Sequence, residues 1–250
     1  MKKKKPENEY IYMTKKEKLI NTVKSLMVVL VMDFFFYRSL WGLIMLVPAF
    51  LFFRKNGEKD LEVGKRNRIK EQFKELLLLS ETGQKAGMSV DNALINSKDD
   101  LVVLFGKYQP VVTLVERIII FRRNNKPIGD VFIDAGEKTG IEDITQFGQI
   151  YEIAYEKSGN MSAVMHETAN SIIEKLETEN EIYLALNDKS FELKVLEMMP
   201  FFIMGYIELT NKNYFEMMYG SIFGIGVMSI FVMIYLLVYG WGRKILKIEV

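Results

Sequence analysis

Residues 217–242 read MMYGSIFGIGVMSIFVMIYLLVYGWG, closed by Glu216 on one side and Arg243 on the other, with no charged side chain between them. A membrane-crossing helix needs about 20 predominantly apolar residues, and a helix that is apolar all round has no face to offer water. The stretch therefore predicts a transmembrane span. A second apolar block, Ser25 to Phe53, lies in the other half of the chain and carries only Asp33 and Arg38 as charges. The 250 residues are 49% hydrophobic and 26% charged, which is ordinary for a soluble domain. The average conceals two segregated populations.

Lysine and arginine positions set the expected topology. Residues 1–24 hold eight Lys against three Glu, residues 54–75 hold eight Lys/Arg against five Asp/Glu, and Arg243, Lys244 and Lys247 follow the second block. Cytoplasmic flanks of spans are enriched in such cations, so all three stretches are assigned to the cytoplasm and each apolar block is expected to be crossed an even number of times, the alternative for the first block being a single long, tilted span. The expected order is a basic tail (1–18), an N-terminal transmembrane hairpin (19–53) turning at Tyr37, Arg38 and Ser39, and a linker (54–64). A cytoplasmic domain (65–192), a C-terminal transmembrane hairpin (193–242) and a basic tail (243–250) complete it. The weaker arm of the second hairpin, Leu193 to Leu209, contains Pro200 and Glu208; its periodicity would equally permit a buried soluble helix, and the charge count favours the span. No small-x-small cleavage site follows the first apolar stretch, so it reads as a retained anchor in a multi-pass protein of the cytoplasmic membrane. The absence of cysteine excludes disulfides and thiolate metal sites and suits a reducing compartment.

Between the apolar blocks the pattern is helical. Ile69, Phe73, Leu76 and Leu77 recur at helical spacing up to Gly87, where the helix should stop. Ser89 caps a second helix with Asp91 in its first turn, ending near Gly106. Pro110 opens a third, with Val111, Leu114, Val115, Ile118 and Phe121 on one face, which dissolves at Asn124 and Asn125. A short fourth follows Pro127 and Gly129 and stops at Gly140. A fifth spans Ile141 to Ser158, and a sixth follows the Gly159-Asn160 turn and carries Met161, Val164, Met165, Ala169, Ile172 and Leu176. No strand-like alternation occurs. The expected fold class is all-α: an integral membrane protein with a cytoplasmic bundle of about six helices between two transmembrane hairpins. A helix-Gly-turn-helix pattern recurs at Ala86-Gly87-Met88-Ser89 and Ser158-Gly159-Asn160-Met161, as any antiparallel helix pair requires.

Motifs for chemistry are missing. There is no phosphate-cradling Walker loop and no dinucleotide fingerprint, and Gly224-Ile225-Gly226 sits inside the predicted span, where glycines serve close helix contacts. The lone histidine, His166, has no second imidazole and reads as a structural or surface residue. Ser162 and Ser221 have no base in register, and Asp99 and Asp100 are neighbours that do not face each other on a helix. The expectation is a protein that is not an enzyme and takes no cofactor, metal or nucleic acid. A transporter would need ionisable groups deep in its spans, and Asp33 near a hairpin tip is the one candidate.

Charge says more. Residues 141–197 carry twelve Asp/Glu and four Lys, whereas 107–126 carry five Lys/Arg and one Glu. Two readings stay open for the acidic stretch: a solvated surface, or a docking face for a basic partner, in which Glu142, Asp143, Glu152, Glu156 and Glu167 are the candidate contacts.

Lys85-Ala86-Gly87-Met88-Ser89-Val90 with Ala93-Leu94, then Gly129-Asp130-Val131-Phe132, then Glu156-Lys157-Ser158-Gly159-Asn160-Met161, resemble in order and spacing the type II secretion system F domain. The run Arg243-Lys244-Ile245-Leu246-Lys247-Ile248-Glu249-Val250 is similar to the C-terminus of the Tad (tight adherence) pilus platform proteins, TadB and TadC. Gly87, Gly129, Gly159 and Asn160 are the turn residues of these motifs. The resemblance implies an inner-membrane platform that works with a secretion ATPase of the TadA type on pilin subunits and pairs with a second copy or a sister platform protein. Larger relatives in type IV pilus and type II secretion systems carry two such domains where this chain has one. The competing class is a membrane-anchored helical scaffold or signalling protein unrelated to pili.

Overall fold

The computed structural model describes residues 14–157, 161–211, 214–219 and 221–247, and among them the chain is helical throughout, without a strand. The helices are α1 (Lys15–Phe36), α2 (Leu40–Met45), α3 (Val47–Lys85), α4 (Val90–Phe105), α5 (Pro110–Arg123), α6 (Gly129–Thr139), α7 (Glu142–Lys157), α8 (Met161–Thr210), α9 (Glu216–Tyr219) and α10 (Ile222–Lys247). They divide into a head unit that contains Asp60–Thr178 and a hairpin unit of Lys15–Lys59 and Glu179–Val250.

Local chemistry sets the helix borders of the head. Ser89 adopts extended backbone and its hydroxyl accepts from Asn92 N, the capping geometry that Ser favours. Pro110 occupies the first turn of α5, where its missing N–H costs nothing. Gly140 takes the left-handed conformation at φ 63°, and its N–H returns to the Gly136 carbonyl. The apolar faces so placed meet in one core of Ile69, Phe73, Leu76 and Leu77 from α3 with residues of α4 to α8. At its centre Phe73, Phe132 and Phe147 pack edge to face, with centroids 4.9 to 6.3 Å apart, the arrangement that the ring quadrupoles prefer.

The closest contact in the head is between α6 and α7. A side chain on Gly136 would overlap Thr145, and one on Gly148 would meet the Gly129 carbonyl and the Ile133 amide at 2.8 Å. Backbones touch here only because these positions carry no Cβ. Gly129, singled out from sequence as a turn residue, is thus a packing residue as well. Gly87, with φ 88° and open space around it, is a turn residue in the backbone sense.

In the hairpin unit α1 runs antiparallel to the first part of α3: Asn21 Nδ2 donates to the Arg54 carbonyl at 2.9 Å. The turn between α1 and α2 falls at residues 37–39, with Arg38 at φ 47°. The helix is interrupted again at Leu46, two residues before Pro48, whose ring nitrogen cannot serve the Ile44 carbonyl. Residues 54–64, expected as a linker, are helical. Arg54 pairs with Glu58 one turn on, and Gly57 lies directly against the Asn21 side chain, a contact that a larger residue would block. Gly224 comes close to the Met218 backbone of α9 while Gly226 has open space, so the Gly224-Ile225-Gly226 run serves the α9–α10 turn rather than an extended helix seam.

Polar groups stitch the inside of this unit. Tyr37 Oη and Ser229 Oγ are hydrogen-bonded at 2.8 Å, Tyr219 Oη donates to the Phe35 carbonyl at 2.7 Å, and Arg38 pairs with Glu208 at 3.0 Å. Phe201 of α8 packs against Phe35, Phe36 and Tyr235. Among the described residues two helices, α1 and residues 222–244 of α10, are long and apolar enough to cross a membrane.

Candidate functional site

The acidic residues singled out from sequence lie on α7 and α8 of the head, and the fold separates them. Glu142 is exposed in the first turn of α7 and accepts from Gln146 Nε2 at 3.1 Å. Glu156 is exposed at the other end of the same helix, about 21 Å away at 1.5 Å per residue. Glu167 is exposed on α8. Asp143 is not a surface charge: it is only 3% exposed and accepts from Lys175 Nζ at 2.5 Å. It faces Lys175 of α8, while its neighbour Glu142 faces outward. Of the five carboxylates expected to form a docking face, Asp143 is the one that the fold buries and pairs.

Glu152 is half-buried. Burial, then a hydrogen bond and charge from Asp130, then the charge of Glu156, raise its carboxyl above the ordinary glutamate range. Asp130 is the member of this group that the sequence reading did not place in it. It stands in the Gly129-Asp130-Val131-Phe132 motif, far from Glu152 along the chain, and only the close α6–α7 crossing brings the two together. The acidic surface is therefore a cluster of Asp130, Glu152 and Glu156 at one end of α7, with Glu142 at the other. Gly159 and Asn160 lie outside the described residues.

Basic residues of the head are largely engaged. Asp134 accepts from Arg117 Nη2 at 2.6 Å and from Lys138 Nζ at 2.7 Å. Burial works to raise the Asp134 carboxyl, but these hydrogen bonds and charges outweigh it and leave its pKa below the ordinary value. Arg122 donates to Asn92 Oδ1 at 2.7 Å and lies 3.9 Å from Asp91 Oδ2. Asp91 also accepts from Tyr151, whose hydroxyl is pushed far up, first by burial and then by this bond.

Metal-binding geometry does not form among the described residues. No cluster of three or more His, Asp and Glu suited to a metal is present. His166 lies 3.6 Å from Glu81 and 3.2 Å from the Asn170 carboxamide, in a polar surface pairing. In the hairpin unit Asp33 Oδ1 and Glu208 Oε2 are buried without hydrogen-bond partners. Asp33 packs on Gly42 at the α1–α2 turn, and Glu208 is already paired with Arg38.

Fold and surface thus define an all-helical protein with an acidic-faced head and two helices of membrane-crossing length and apolarity. No family model, curated protein or solved structure matches the chain.

Proposed function

We propose that this protein is a non-enzymatic inner-membrane platform of a Tad or type IV-like pilus, or of a type II-like secretion machine. In this reading the head is cytoplasmic and receives a secretion ATPase, and the hairpin unit holds the protein in the bilayer beside the pilins to be extracted. What carries the reading is a pairing within one chain. A punctuated helical head bears the motifs that resemble the type II secretion system F domain, and a hairpin unit presents apolar residues outward and hydrogen bonds inward. Basic flanks on the apolar blocks support cytoplasmic placement of both termini and the head. Work for assembly comes from the ATPase, so the platform itself neither binds nor hydrolyses ATP.

Rim charges mainly steer association and set partner choice, and that is the role assigned to the exposed Glu142, Glu156 and Glu167 and the half-buried Glu152. The test is co-purification from membranes with the candidate ATPase. One Glu→Gln change should reduce recovery little, whereas reversing all four to Lys should reduce it strongly, and more so at low salt. Full ATPase recovery with the stably inserted quadruple variant would make the acidic face a solvated surface only. Topology is tested in intact cells with an impermeant thiol reagent, since the chain has no cysteine. A cysteine at Gln149 should be shielded and one at Asn211 labelled. Labelling at Gln149, or stoichiometric ATP binding by the purified chain, would overturn the platform reading.

A further inference from the structure

The α4–α5 turn of the head exposes apolar side chains that the core does not use. Val103 and Tyr108 are each 85% exposed and Leu104 is 55% exposed, with exposed Lys107 between them. Single exposed apolar residues need no explanation, but three within six positions on one turn do. The turn is also braced. Gly106, at φ 96°, returns its N–H to the Val102 carbonyl at 2.9 Å. Gln72 of α3, wholly buried, donates to Gln109 Oε1 at 3.0 Å and accepts from Val111 N at 3.5 Å. Beside Tyr108 lies a cleft of about 150 Å³ walled by Lys65, Arg68, Ile69, Gln72, Gln109 and Pro110. Apolar tip, aromatic ring and cations are therefore presented together where the braced turn lies beside α3.

We infer that this turn is a contact site for an anionic lipid surface, with Val103, Leu104 and Tyr108 entering the headgroup layer and Lys65, Arg68 and Lys107 meeting lipid phosphates. Aromatic rings and lysines are the residues that settle at such an interface, and juxtamembrane cations are drawn to anionic leaflets. Asp99 and Asp100 stand one turn earlier on α4 and are exposed, which limits the attractive region to the tip. Three side chains fall well short of the roughly 1,000 Å² that a stable protein interface buries. A tethered surface needs far less, because the chain's own spans hold the bilayer at high effective concentration. The inference rests on the membrane-anchored reading of the hairpin unit.

The experiment uses the full chain in nanodiscs of phosphatidylcholine alone or mixed equally with phosphatidylglycerol. With no native cysteine, one spin label at a time is placed through Val103→Cys, Gln149→Cys or Ile230→Cys, and its accessibility to oxygen and to a nickel chelate is measured. The Ile230 label should read as hydrocarbon and the Gln149 label as aqueous in both lipids. The Val103 label should shift from aqueous to interfacial only with phosphatidylglycerol, as a several-fold rise in the oxygen-to-nickel ratio. High salt should diminish that shift, Arg68→Glu with Lys107→Glu should abolish it, Tyr108→Ser should reduce it, and added inorganic phosphate should not reproduce it. A Val103 label that stays aqueous, or reads the same in both lipids, overturns the inference while leaving the anchored reading intact. An immobilised label closed to both reagents overturns it in favour of a protein contact. An aqueous Ile230 label overturns the anchored reading and this inference together.

Discussion

The head and the hairpin unit both bury apolar side chains, but they leave opposite kinds of residue outside. The head hides Phe73, Phe132, Phe147 and their neighbours behind charged helix faces. In the hairpin unit, α1 buries a narrow stripe of Asn21, Ser25, Val29, Met32 and Phe36 while Leu19, Ile20, Met27, Leu30 and Phe34 point outward. On α10, Met228 and Val232 face in, and Ile230, Phe231, Met233 and Leu237 face out. Water rewards burial of apolar area. Hydrocarbon does not, so under the membrane proposal association of these helices relies on packing and on hydrogen bonds such as Tyr37–Ser229. The difference between the units is the observation behind the membrane proposal, and four measurements would break or sharpen it.

The largest effect is expected at the head's aromatic centre. Phe132→Ala should cost about 4 kcal/mol, as large-to-small changes in a water-driven core do. Met32→Ala, at an equally inaccessible site in the hairpin unit, should cost less, since no hydrophobic transfer is lost in lipid. Denaturant titration of the full chain in micelles, read by site-specific probes in each unit, separates the two. Equal losses would argue that both units fold against water.

Ile153 in the head and Ile230 in the hairpin unit are 57% and 60% exposed, so accessibility alone treats them alike. Lysine at Ile230 should cost about 3 kcal/mol of insertion and appear as lost membrane fractionation. Lysine at Ile153 should stay within about 0.5 kcal/mol, as surface changes do. Tolerance of Ile230→Lys would remove the lipid-facing assignment of α10. A smaller change is expected from Tyr37→Phe, which deletes one hydrogen bond between the α1–α2 turn and α10, worth about 0.6 kcal/mol by the average found for interhelical bonds in membranes. A much larger loss would make that pair a keystone of the hairpin unit.

The smallest effect is a pH dependence in the head. Glu152 has a folded-state pKa raised above the ordinary value of 4.5, so the native head binds its proton more tightly than the unfolded chain. Its stabilising contribution is complete below the unfolded pKa and is lost as pH rises through the folded one. Glu152→Gln should therefore flatten the decline in melting temperature as pH climbs from the acid side through this range, and leave the head slightly more stable at neutral pH. An unchanged pH profile would mean that the Asp130–Glu152 contact carries no free energy.

The residues determined by themselves whatever depends on near neighbours. Two apolar blocks, an all-helical middle, the Ser89 cap, the Pro110 start and the Gly140 stop all follow from side chains acting within a turn or two of their own backbone. Tertiary structure alone decided which surface survives. Asp143 reads as one more exposed carboxylate until Lys175, 32 residues on, meets it. Asp130 joins Glu152 only because Gly129, Gly136 and Gly148 let α6 and α7 touch. Residues 54–64 carry two glycines and read as a linker, yet they stay helical where Gly57 fits against Asn21. Local patterning carries no information about pairings this distant in the chain, since they depend on which faces the finished core brings into contact.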